Sequence, residues 1–470
     1  MRVCMILEGS YPYVHGGVSS WTHQYIQAMP DVEFVLWCIG AHAADRGKFK
    51  YALPDNVREV KELFLDDALN LRLPPGQRRR LNLTTAQTEA LRRLFTGEHP
   101  DWGELFSLMQ QQQINPLALL MSAEFVQILL DICSERFPYI SFVDYFYTVR
   151  SMLLPELYLL TQPVPEADLY HATATGYSGL LGALAKWKNR KPYILTEHGI
   201  YTREREEELL RADWVLPYFR QQWIQLFYTF SLCAYTYADR VTALFSRANA
   251  IQADLGCAPD KLRVIPNGIH FDRFSQIPDK PPDGHIDIGA VVRIAKIKDI
   301  KTMIYAFAEV KNEIPSARLF IMGDVDDREY DAECRELIRQ LQVKDISFTG
   351  VINVLEYLPR LDFTILTSIS EGQPLSVLES FAAGRAVVAT DVGCCRELIE
   401  EQDGLGPAGL IVPPMHKDLL AQAEIQLARS ERLRRQMGAT GRQRAGRSFT
   451  HTQSMAQYRA LYKEVTTWQG

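Results

Sequence analysis

Short apolar runs alternate with stretches of helical periodicity along most of the sequence, and this alternation restricts the fold more than any other feature. Each run is almost continuously apolar and a helical stretch follows it, which is typical of buried strands in a parallel sheet covered by helices. The predicted strands are residues 3–7, 32–40, 168–174, 192–199, 240–244, 262–268, 286–294, 317–324, 346–350, 363–368, 386–392 and 409–414. Predicted helices between the early strands include 18–29, 178–188 and 217–238.

The alternation stops at the proline-rich, polar segment SQIPDKPPDGH and then begins again. Such a composition is typical of a linker, and a chain of 470 residues is too long for one ordinary hydrophobic core. We therefore predict an α/β protein of two doubly wound, Rossmann-like domains, at 1–277 and 285–447. They are expected to face each other across a cleft at the carboxyl ends of their strands, where ligands of such sheets bind.

Residues 50–165 interrupt the first domain and predict a mostly helical insertion. The segment contains the basic triplet Arg78-Arg79-Arg80 and the aromatic stretch YISFVDYFYTVRSMLLPELYLL. Two hypotheses fit this composition. The segment is either a docking surface for a membrane partner or the bilayer edge, or an ordinary helical insertion.

Charge and cysteine content exclude several classes of protein. The net charge of −6 gives no reason to expect nucleic acid as a partner. The eight cysteines include no Cys-x-x-Cys pair, and the adjacent Cys394 and Cys395 suit neither a zinc site nor a disulfide. We expect a reduced, cytoplasmic protein. No signal peptide is expected from the short apolar run after Arg2, and no transmembrane helix, because no apolar run reaches ~18 residues.

The segment SISEGQPLSVLESFAAGRAVVATDVG, at 368–393, carries the strongest chemical signal. A strand ends near Ser368, a short loop holds Glu371 and Gly372, and a helix begins near Leu375. The free amides at the start of this helix suit an anion or a sugar hydroxyl, and Gly372 permits close backbone approach. Glu371 and Glu379 then offer two hydrogen-bond acceptors on one side of the cleft.

Two cations and a histidine follow other predicted strands. Arg293 and Lys298 follow the strand AVVRI, and fixed cations at a strand end would stabilise the charge of a departing phosphate. The alternative is a solvated charged face. His198, in LTEHG, points to the cleft or is a hydrogen-bonded histidine near a strand end. Glu197 either orients it or points to solvent.

The whole pattern resembles the retaining GT-B glycosyltransferases of family 4. The Glu-x7-Glu spacing of Glu371 and Glu379 resembles their signature, and AVVRIAKIKDI resembles the strand-end motif with Arg293 and Lys298. VIPNGIHFDRF resembles the segment before their interdomain linker, LTEHG matches the position of their active-site histidine, and HGG matches their first glycine-rich loop. The resemblance covers both domains apart from residues 50–165.

This resemblance implies a role for each candidate residue in binding a UDP-sugar. Glu379 would bind the ribose hydroxyls and Glu371 the hydroxyls of the transferred sugar, Arg293 and Lys298 would contact the phosphates, and His198 would hydrogen-bond the sugar. The remaining implied contacts are made by Gly16, Gly17, Gly323, Gly372, Gln373, Pro374 and Leu375, with the Gly17 amide approaching a phosphate and Gly323 permitting a close turn near the nucleobase.

The family also implies the reaction and its setting. A hexose or N-acetylhexosamine would pass, with retention of configuration, to a growing exopolysaccharide, with no cofactor and no metal. The Asp-x-Asp of GDVDD, at 323–327, is interpreted as a loop rather than a metal site. Residues 448–470 are expected to form a last helix that returns to the first domain. The protein would be cytoplasmic, with recruitment to an inner-membrane synthase complex as a further hypothesis.

Three questions stay open at the level of the sequence. A non-catalytic scaffold that binds nucleotide sugars would show the same motifs. A sugar phosphorylase shares the fold but would need a lysine that carries pyridoxal phosphate, and no segment of the sequence stands out as that site. His15 is either a ligand contact or a bystander. Tyr11, Tyr13 and Trp21 are either acceptor-binding aromatics or part of the core, and the core is favoured for Trp21.

Overall fold

The structure, a computed structural model, describes residues 1–73, 80–400 and 403–467. The chain forms two compact units, each built around its own parallel sheet. The first unit contains residues 1–243, 249–264 and those from 460 onward; the second contains 244–248 and 265–459. The predicted α/β class, with two doubly wound parallel sheets and a helical region in the first, is confirmed.

The sheet of the first unit has seven strands in the order β3-β2-β1-β4-β5-β6-β7, all parallel. Its inner strands are buried on both faces because helices cover the sheet, which explains their nearly continuous apolar sequences. The strands are β1 Arg2–Glu8, β2 Glu33–Gly40, β3 Val57–Phe64, β4 Leu169–Ala172, β5 Tyr193–Glu197, β6 Arg240–Ala243 and β7 Leu262–Val264.

Strand β3 corrects the predicted extent of the insertion. Residues 57–64 were assigned to the helical insertion at 50–165, but they pair in parallel with β2 at the edge of the sheet. Their sequence, VREVKELF, places two charged pairs among the apolar residues, and only the last two residues are buried. An edge strand needs this pattern because it faces solvent on one side, so the continuous-run criterion missed it.

The rest of the insertion is helical, as predicted, and its helices share the core of the first unit. Four begin after a side chain that caps their free amides: Thr84, Asp101, Asn115 and Ser122. Of the basic triplet, Arg78 and Arg79 lie outside the described residues. The helices up to the second unit are α1 Gly17–Gln27, α2 Thr85–Thr96, α3 Trp102–Gln110, α4 Pro116–Leu120, α5 Ala123–Arg136, α6 Phe142–Leu160, α7 Tyr177–Asn189, α8 Tyr201–Arg211, α9 Arg220–Tyr237 and α10 Ser246–Asp254.

The sheet of the second unit has six parallel strands in the order β10-β9-β8-β11-β12-β13. Its strands are β8 Ile286–Val291, β9 Ala317–Met322, β10 Ile346–Gly350, β11 Phe363–Leu366, β12 Ala386–Thr390 and β13 Gly409–Val412. Its helices are α11 Phe271–Ser275, α12 Ile300–Glu313, α13 Arg328–Leu341, α14 Val354–Tyr357, α15 Leu375–Ala382, α16 Cys395–Glu400, α17 Lys417–Arg429, α18 Glu431–Ser448 and α19 His451–Thr467.

The second unit extends beyond its predicted bounds of 285 and 447 at both ends. Residues 265–277 pack with the second unit, where Ile269 pairs with Thr450. The last part of α19 packs with the first unit: the Tyr462 hydroxyl lies 2.8 Å from His171 Nδ1, and Arg240 pairs with Glu464 at 2.6 Å. All eight cysteines are buried and free. Within the described ranges, no helix is both long enough and apolar enough to cross a bilayer.

Candidate active site

In the first unit, the order of the strands reverses between β1 and β4, and polar residues stand at the carboxyl ends of β1 and of β5, the strand beyond β4. Glu8 ends β1, and His198 directly follows β5. A parallel sheet leaves a crevice at such a switch point. Here the crevice is a pocket of about 440 Å³ that both Glu8 and His198 line.

His198 is held in an apolar setting and remains uncharged at neutral pH. The Trp21 ring lies edge-on, with 4.4 Å between the ring centroids. Burial lowers the pKa of His198 to about 4 because the imidazolium would lose its hydration. Its Nε2 is buried and has no hydrogen-bond partner among the described residues. The side chain is therefore a neutral group with one ring nitrogen left for a ligand.

Glu197 does not orient this histidine, nor does it point to solvent. Its buried carboxylate accepts hydrogen bonds from the Tyr235 hydroxyl at 2.6 Å, from Gln252 at 2.8 Å and from Thr175 at 3.3 Å. Burial raises its pKa, although these hydrogen bonds oppose the shift. Glu197 thus ties the end of β5 to the surrounding helices.

Gly16 and Gly17 stand at the start of α1 with nothing of the protein against them. Gly16 is extended, at φ 176°, and no side chain caps the helix. A Cβ added at either glycine would meet no atom within 4 Å. Neither a left-handed backbone nor internal packing therefore requires glycine here. The free amides of the helix start are open to a ligand.

The aromatic residues before these glycines mostly hold the loop in place. The Tyr13 hydroxyl donates to Glu62 at 2.7 Å, and the Tyr13 ring packs edge-on against Phe64. Tyr11 is fully buried. His15 is exposed and its ring lies 5.0 Å from that of Tyr51. The geometry assigns Tyr11 and Tyr13 a structural role.

In the second unit, the corresponding reversal lies between β8 and β11, and there Lys298 and Glu371 form an ion pair. Lys298 Nζ lies 2.5 Å from Glu371 Oε1, and the side chains are only 16% and 12% exposed. The Ser368 hydroxyl donates to the same carboxylate oxygen at 2.5 Å. Thr367 fixes the turn of Lys298 by donating to its carbonyl at 2.7 Å. Residues 73 positions apart are thus joined into one charged centre.

Arg293 is 64% exposed and pairs with Asp326 of the GDVDD loop. In the same loop, Asp327 caps α13 by accepting from Tyr330 N at 3.0 Å. Across residues 1–73, 80–400 and 403–467, no group of three His, Cys, Asp or Glu residues has the arrangement of a metal site. Gly323 has an internal reason to be glycine, because an added Cβ would lie 2.0 Å from the Val292 carbonyl oxygen.

In the loop before α15, some groups are hydrogen-bonded within the protein, whereas the amides at the start of the helix have no side-chain cap. Gln373 accepts from Asn267 N at 2.6 Å, and the Gly372 carbonyl accepts from Cys394 N at 3.1 Å. Pro374 immediately precedes the helix, which begins at Leu375 without a side-chain cap or an acidic residue in its first turn. The start of α15 is therefore suited to an anion or a hydroxyl.

Glu379 is the unpaired carboxyl group of this region. It is half-buried on α15, and the structure shows no hydrogen bond or ion pair to it within the described parts of the chain. Burial raises its pKa to about 7. The sequence placed Glu379 at this edge, but the strand–loop pattern could not show that Glu371 is paired and Glu379 is not.

Two Rossmann-like domains with polar groups at the switch point of each sheet define the GT-B class of fold. Residues 1–260 match the family described as "Domain of unknown function (DUF3492)", and residues 272–444 match "Glycosyl transferases group 1". The chain belongs to the first of these families, and residues 272–444 are similar to the group 1 glycosyl transferases.

Relatives and a solved structure agree with this assignment. The MMP alpha-(1->4)-mannosyltransferase of Mycolicibacterium hassiacum is 26% identical over 282 residues, which cover 58% of this chain and 66% of that protein. The N-acetyl-alpha-D-glucosaminyl L-malate synthase of Bacillus anthracis is 29% identical over 172 residues, covering 36% and 43%. The chain thus spans less than two thirds of the length of these relatives.

Among solved structures, the crystal structure of Anabaena Alr3699/HepE in complex with UDP has the same fold. It aligns with a TM-score of 0.63 at 14% identity and covers 99% of this chain and 100% of that one.

Proposed function

We propose that this protein is a retaining glycosyltransferase that moves a hexose or an N-acetylhexosamine from a UDP-sugar to a growing exopolysaccharide. The observation that carries the proposal is the charged centre of the second unit. There the Lys298–Glu371 pair lies at the same sheet edge as the uncapped start of α15, the helix that carries Glu379. The match of residues 272–444 to group 1 glycosyl transferases supports it, and UDP is the ligand in the HepE complex.

The chemistry follows from the charges at this centre. When the bond between the sugar C1 and the β-phosphate oxygen breaks, negative charge develops on the departing UDP, and Lys298 and Arg293 can stabilise it. The acceptor hydroxyl oxygen forms the new bond to C1, and its proton passes to the departing phosphate. Because the acceptor attacks from the face that the phosphate leaves and the phosphate takes its proton, the proposed reaction needs neither a nucleophile nor a base from the protein. The two cations take the place of a metal in neutralising the departing UDP.

The remaining groups would bind and orient the donor. Glu371, fixed by Lys298 and Ser368, accepts hydrogen bonds from the hydroxyls of the transferred sugar, and Glu379 from the ribose. The first unit contributes neutral groups to the same reaction: the Gly17 amide toward a phosphate and His198 toward the sugar.

We further propose that the polysaccharide is of the Pel type. The segments EGSYPYVHGGVSSW and EGQPLSVLES, together with the long insertion, resemble the cytoplasmic Pel glycosyltransferase PelF. On this proposal the protein works in the cytoplasm and is recruited to a synthase complex at the inner membrane.

The test compares wild type with Glu371→Gln, which keeps a hydrogen-bond acceptor for Ser368 but removes the charge. Purified protein is given UDP-glucose or UDP-N-acetylglucosamine, and UDP release and glycan elongation are measured. We expect at least a 100-fold loss of turnover in the variant, about 2.7 kcal/mol in the barrier. The melting temperature should also fall, because Lys298 loses its partner, so both proteins are assayed well below the melting temperature of the variant.

Glu313→Gln is the matched control, because Glu313 is an exposed, ion-paired glutamate of the same unit. It should retain full activity. If UDP-sugars raise the melting temperature of wild type but are neither hydrolysed nor transferred, the protein is a non-catalytic scaffold. That result would reject the transferase proposal.

A further inference from the structure

One cavity of the second unit lies at the edge of its sheet opposite to Lys298 and Glu371. Residues 284–286, 361–362 and 384–385 line it, and they stand at the amino ends of β8, β11 and β12. Its volume, about 460 Å³, falls in the range of small-molecule sites, roughly 300–1,000 Å³. We call it the arginine cavity, and its charged lining residues are Asp279, Lys280, Asp283, Asp362, Arg385, Glu431, Arg434, Arg435 and Arg442.

Most of these charges, with two that lie directly behind the lining, neutralise one another. Three cations and three carboxylates form a buried network in which each cation lies within 3.3 Å of a carboxylate. The cations are Lys280, Arg318 and Arg434, and the carboxylates are Asp283, Asp287 and Asp362. Arg435 and Glu431 form a separate, exposed pair at 2.7 Å. These eight groups contribute no net charge to the cavity.

The remaining charged groups are two arginines and one aspartate. Arg385 is 4% exposed, and its carboxylate partner is Asp279, which is 67% exposed and lies 3.4 Å away. Arg442 pairs with no carboxylate in the part of the chain that the structure describes. Burial lowers the pKa of Arg385, and the charge of Arg442 adds to this shift, whereas Asp279 opposes it. This end of the cavity therefore holds two positive charges and one loosely held negative charge.

Backbone carbonyls fix both guanidinium groups without neutralising them. Arg442 donates to three carbonyls through Nε and Nη2, whereas its Nη1 makes no hydrogen bond among the described residues. Arg385 donates to two carbonyls through Nε and Nη2, and its Nη1 makes the long contact with Asp279. Each arginine thus has an oriented Nη1 group that can bind an anion.

A phosphoryl group meets these requirements. Guanidinium groups bind phosphate oxygens through charge-assisted hydrogen bonds in a fixed fork geometry. A phosphate monoester carries about −1.5 to −2 charges at neutral pH, which matches two guanidinium groups once the exposed Asp279 side chain turns to solvent. A monocarboxylate would only replace the charge that Asp279 already supplies. The cavity also has room for a small molecule attached to the phosphate.

We propose that the arginine cavity binds a phosphoryl dianion between Arg385 and Arg442, as inorganic phosphate or as the phosphate group of a small molecule. Asp279 takes the place of this anion in the free protein and is displaced when the anion binds. The site lies at the other edge of the sheet from the candidate donor site, and it does not rest on the transferase proposal.

The test measures phosphorus-31 relaxation of inorganic phosphate and of glycerol 3-phosphate with the full chain, at constant ionic strength. Arg442→Gln should weaken binding of both at least tenfold, about 1.4 kcal/mol. Asp279→Asn should tighten binding about threefold or more, because it removes the competing carboxylate. Acetate should displace phosphate at least tenfold less well than sulfate, about 1.4 kcal/mol. The tighter of the two phosphates identifies the source of the group, the free ion or a phosphorylated small molecule.

Arg429→Gln is the matched control, because Arg429 is an exposed arginine of the same unit that is paired with Glu313 at 2.5 Å. It should bind phosphate like wild type. Asp279→Asn changes an exposed side chain, so it tests the site even if Arg442→Gln does not fold. Equal binding by wild type and Arg442→Gln, or no tightening in Asp279→Asn, would overturn the proposal. Loss of binding in Lys298→Gln but not in Arg442→Gln would assign the phosphate to the candidate donor site and would also overturn it.

Discussion

The two sheets reverse direction at equivalent points, but the residues at those points are prepared for ligands in opposite ways. In the second unit, Lys298 and Glu371 neutralise each other at 2.5 Å, and Arg293 is paired with Asp326. In the first unit, a Cβ added at Gly17 would meet no protein atom, and His198 is half-buried, neutral and unpartnered at Nε2 among the described residues. The second unit thus pairs its charges with one another, apart from Glu379, whereas the first leaves amides and a neutral histidine beside the Glu8 carboxylate.

This difference fits the two tasks of a sugar transfer. An anionic phosphate can replace one carboxylate as the partner of a lysine, so a paired cation remains fixed until the donor binds and is not left as an uncompensated charge. A sugar is neutral and is recognised through hydrogen bonds, so an open acceptor or donor in an apolar setting suffices. The following predictions test the contrast, beginning with the largest effect.

The two glycines give the sharpest comparison. Gly323→Ala should destabilise the protein by about 3 kcal/mol, because its Cβ would overlap the Val292 carbonyl oxygen. Gly17→Ala should change stability by less than about 0.5 kcal/mol. On the proposed role of its amide, the added methyl group would stand in the way of the phosphate and reduce sugar transfer at least tenfold. Thermal melts and UDP release measure the two effects. Full activity in Gly17→Ala would show that this loop does not contact a phosphate of the donor.

The unpartnered histidine should give the first unit a pH-dependent stability. The folded-state pKa of His198 is about 4, below its ordinary value of 6.5, so between these values the unfolded chain binds a proton that the folded chain does not. Relative to His198→Gln, wild type should lose about 1.4 kcal/mol of stability for each pH unit below 6.5, until about pH 4. Denaturant titrations from pH 7 to 4 measure this difference. A constant difference would show that the ring is already charged or solvated.

Glu379, the carboxyl group without an ion-pair partner among the described residues of the second unit's sheet edge, should give the smallest effect, a change of UDP affinity with pH. Its pKa is about 7, so the carboxyl is half ionised at neutral pH, and the ionised form is the stronger acceptor for ribose hydroxyls. UDP affinity of wild type should rise a few-fold, less than about tenfold, from pH 6 to pH 8. Glu379→Gln should show no such rise, as measured by the UDP-induced change in melting temperature. An equal rise in Glu379→Gln would show that ionisation of UDP, and not of Glu379, causes the change in affinity.

The sequence predicted the sheets well because buried parallel strands are continuously apolar, and the central runs at 3–7, 286–294 and 363–368 correspond to β1, β8 and β11. It missed β3 because an edge strand carries charges on its exposed face. The other edge strands, β7, β10 and β13, were predicted from their apolar runs, so the criterion fails where charged residues interrupt the run and not at every edge.

The sequence placed the candidate residues near the ends of strands, but it could not predict how they pair with one another. Lys298 and Glu371 are far apart in the chain, so no local pattern could show that they neutralise each other. Glu8 was missed as a site residue, although an acid directly after a buried first strand was a usable signal. Gln373 was expected at the ligand, whereas its side-chain oxygen accepts from the backbone of Asn267. Such hydrogen bonds and ion pairs depend on tertiary contacts, which cannot be derived from the local sequence.

The return of α19 to the first unit has a consequence for biosynthesis. Buried His171 is hydrogen-bonded to Tyr462 at 2.8 Å, and buried Arg240 is paired with Glu464, so the first sheet acquires these partners only after almost the whole chain has left the ribosome. The amino-terminal half must wait in an incomplete state while the second unit is translated and folds. The first unit is therefore made first but can be completed only after residues 462–464 of the last helix have been synthesised.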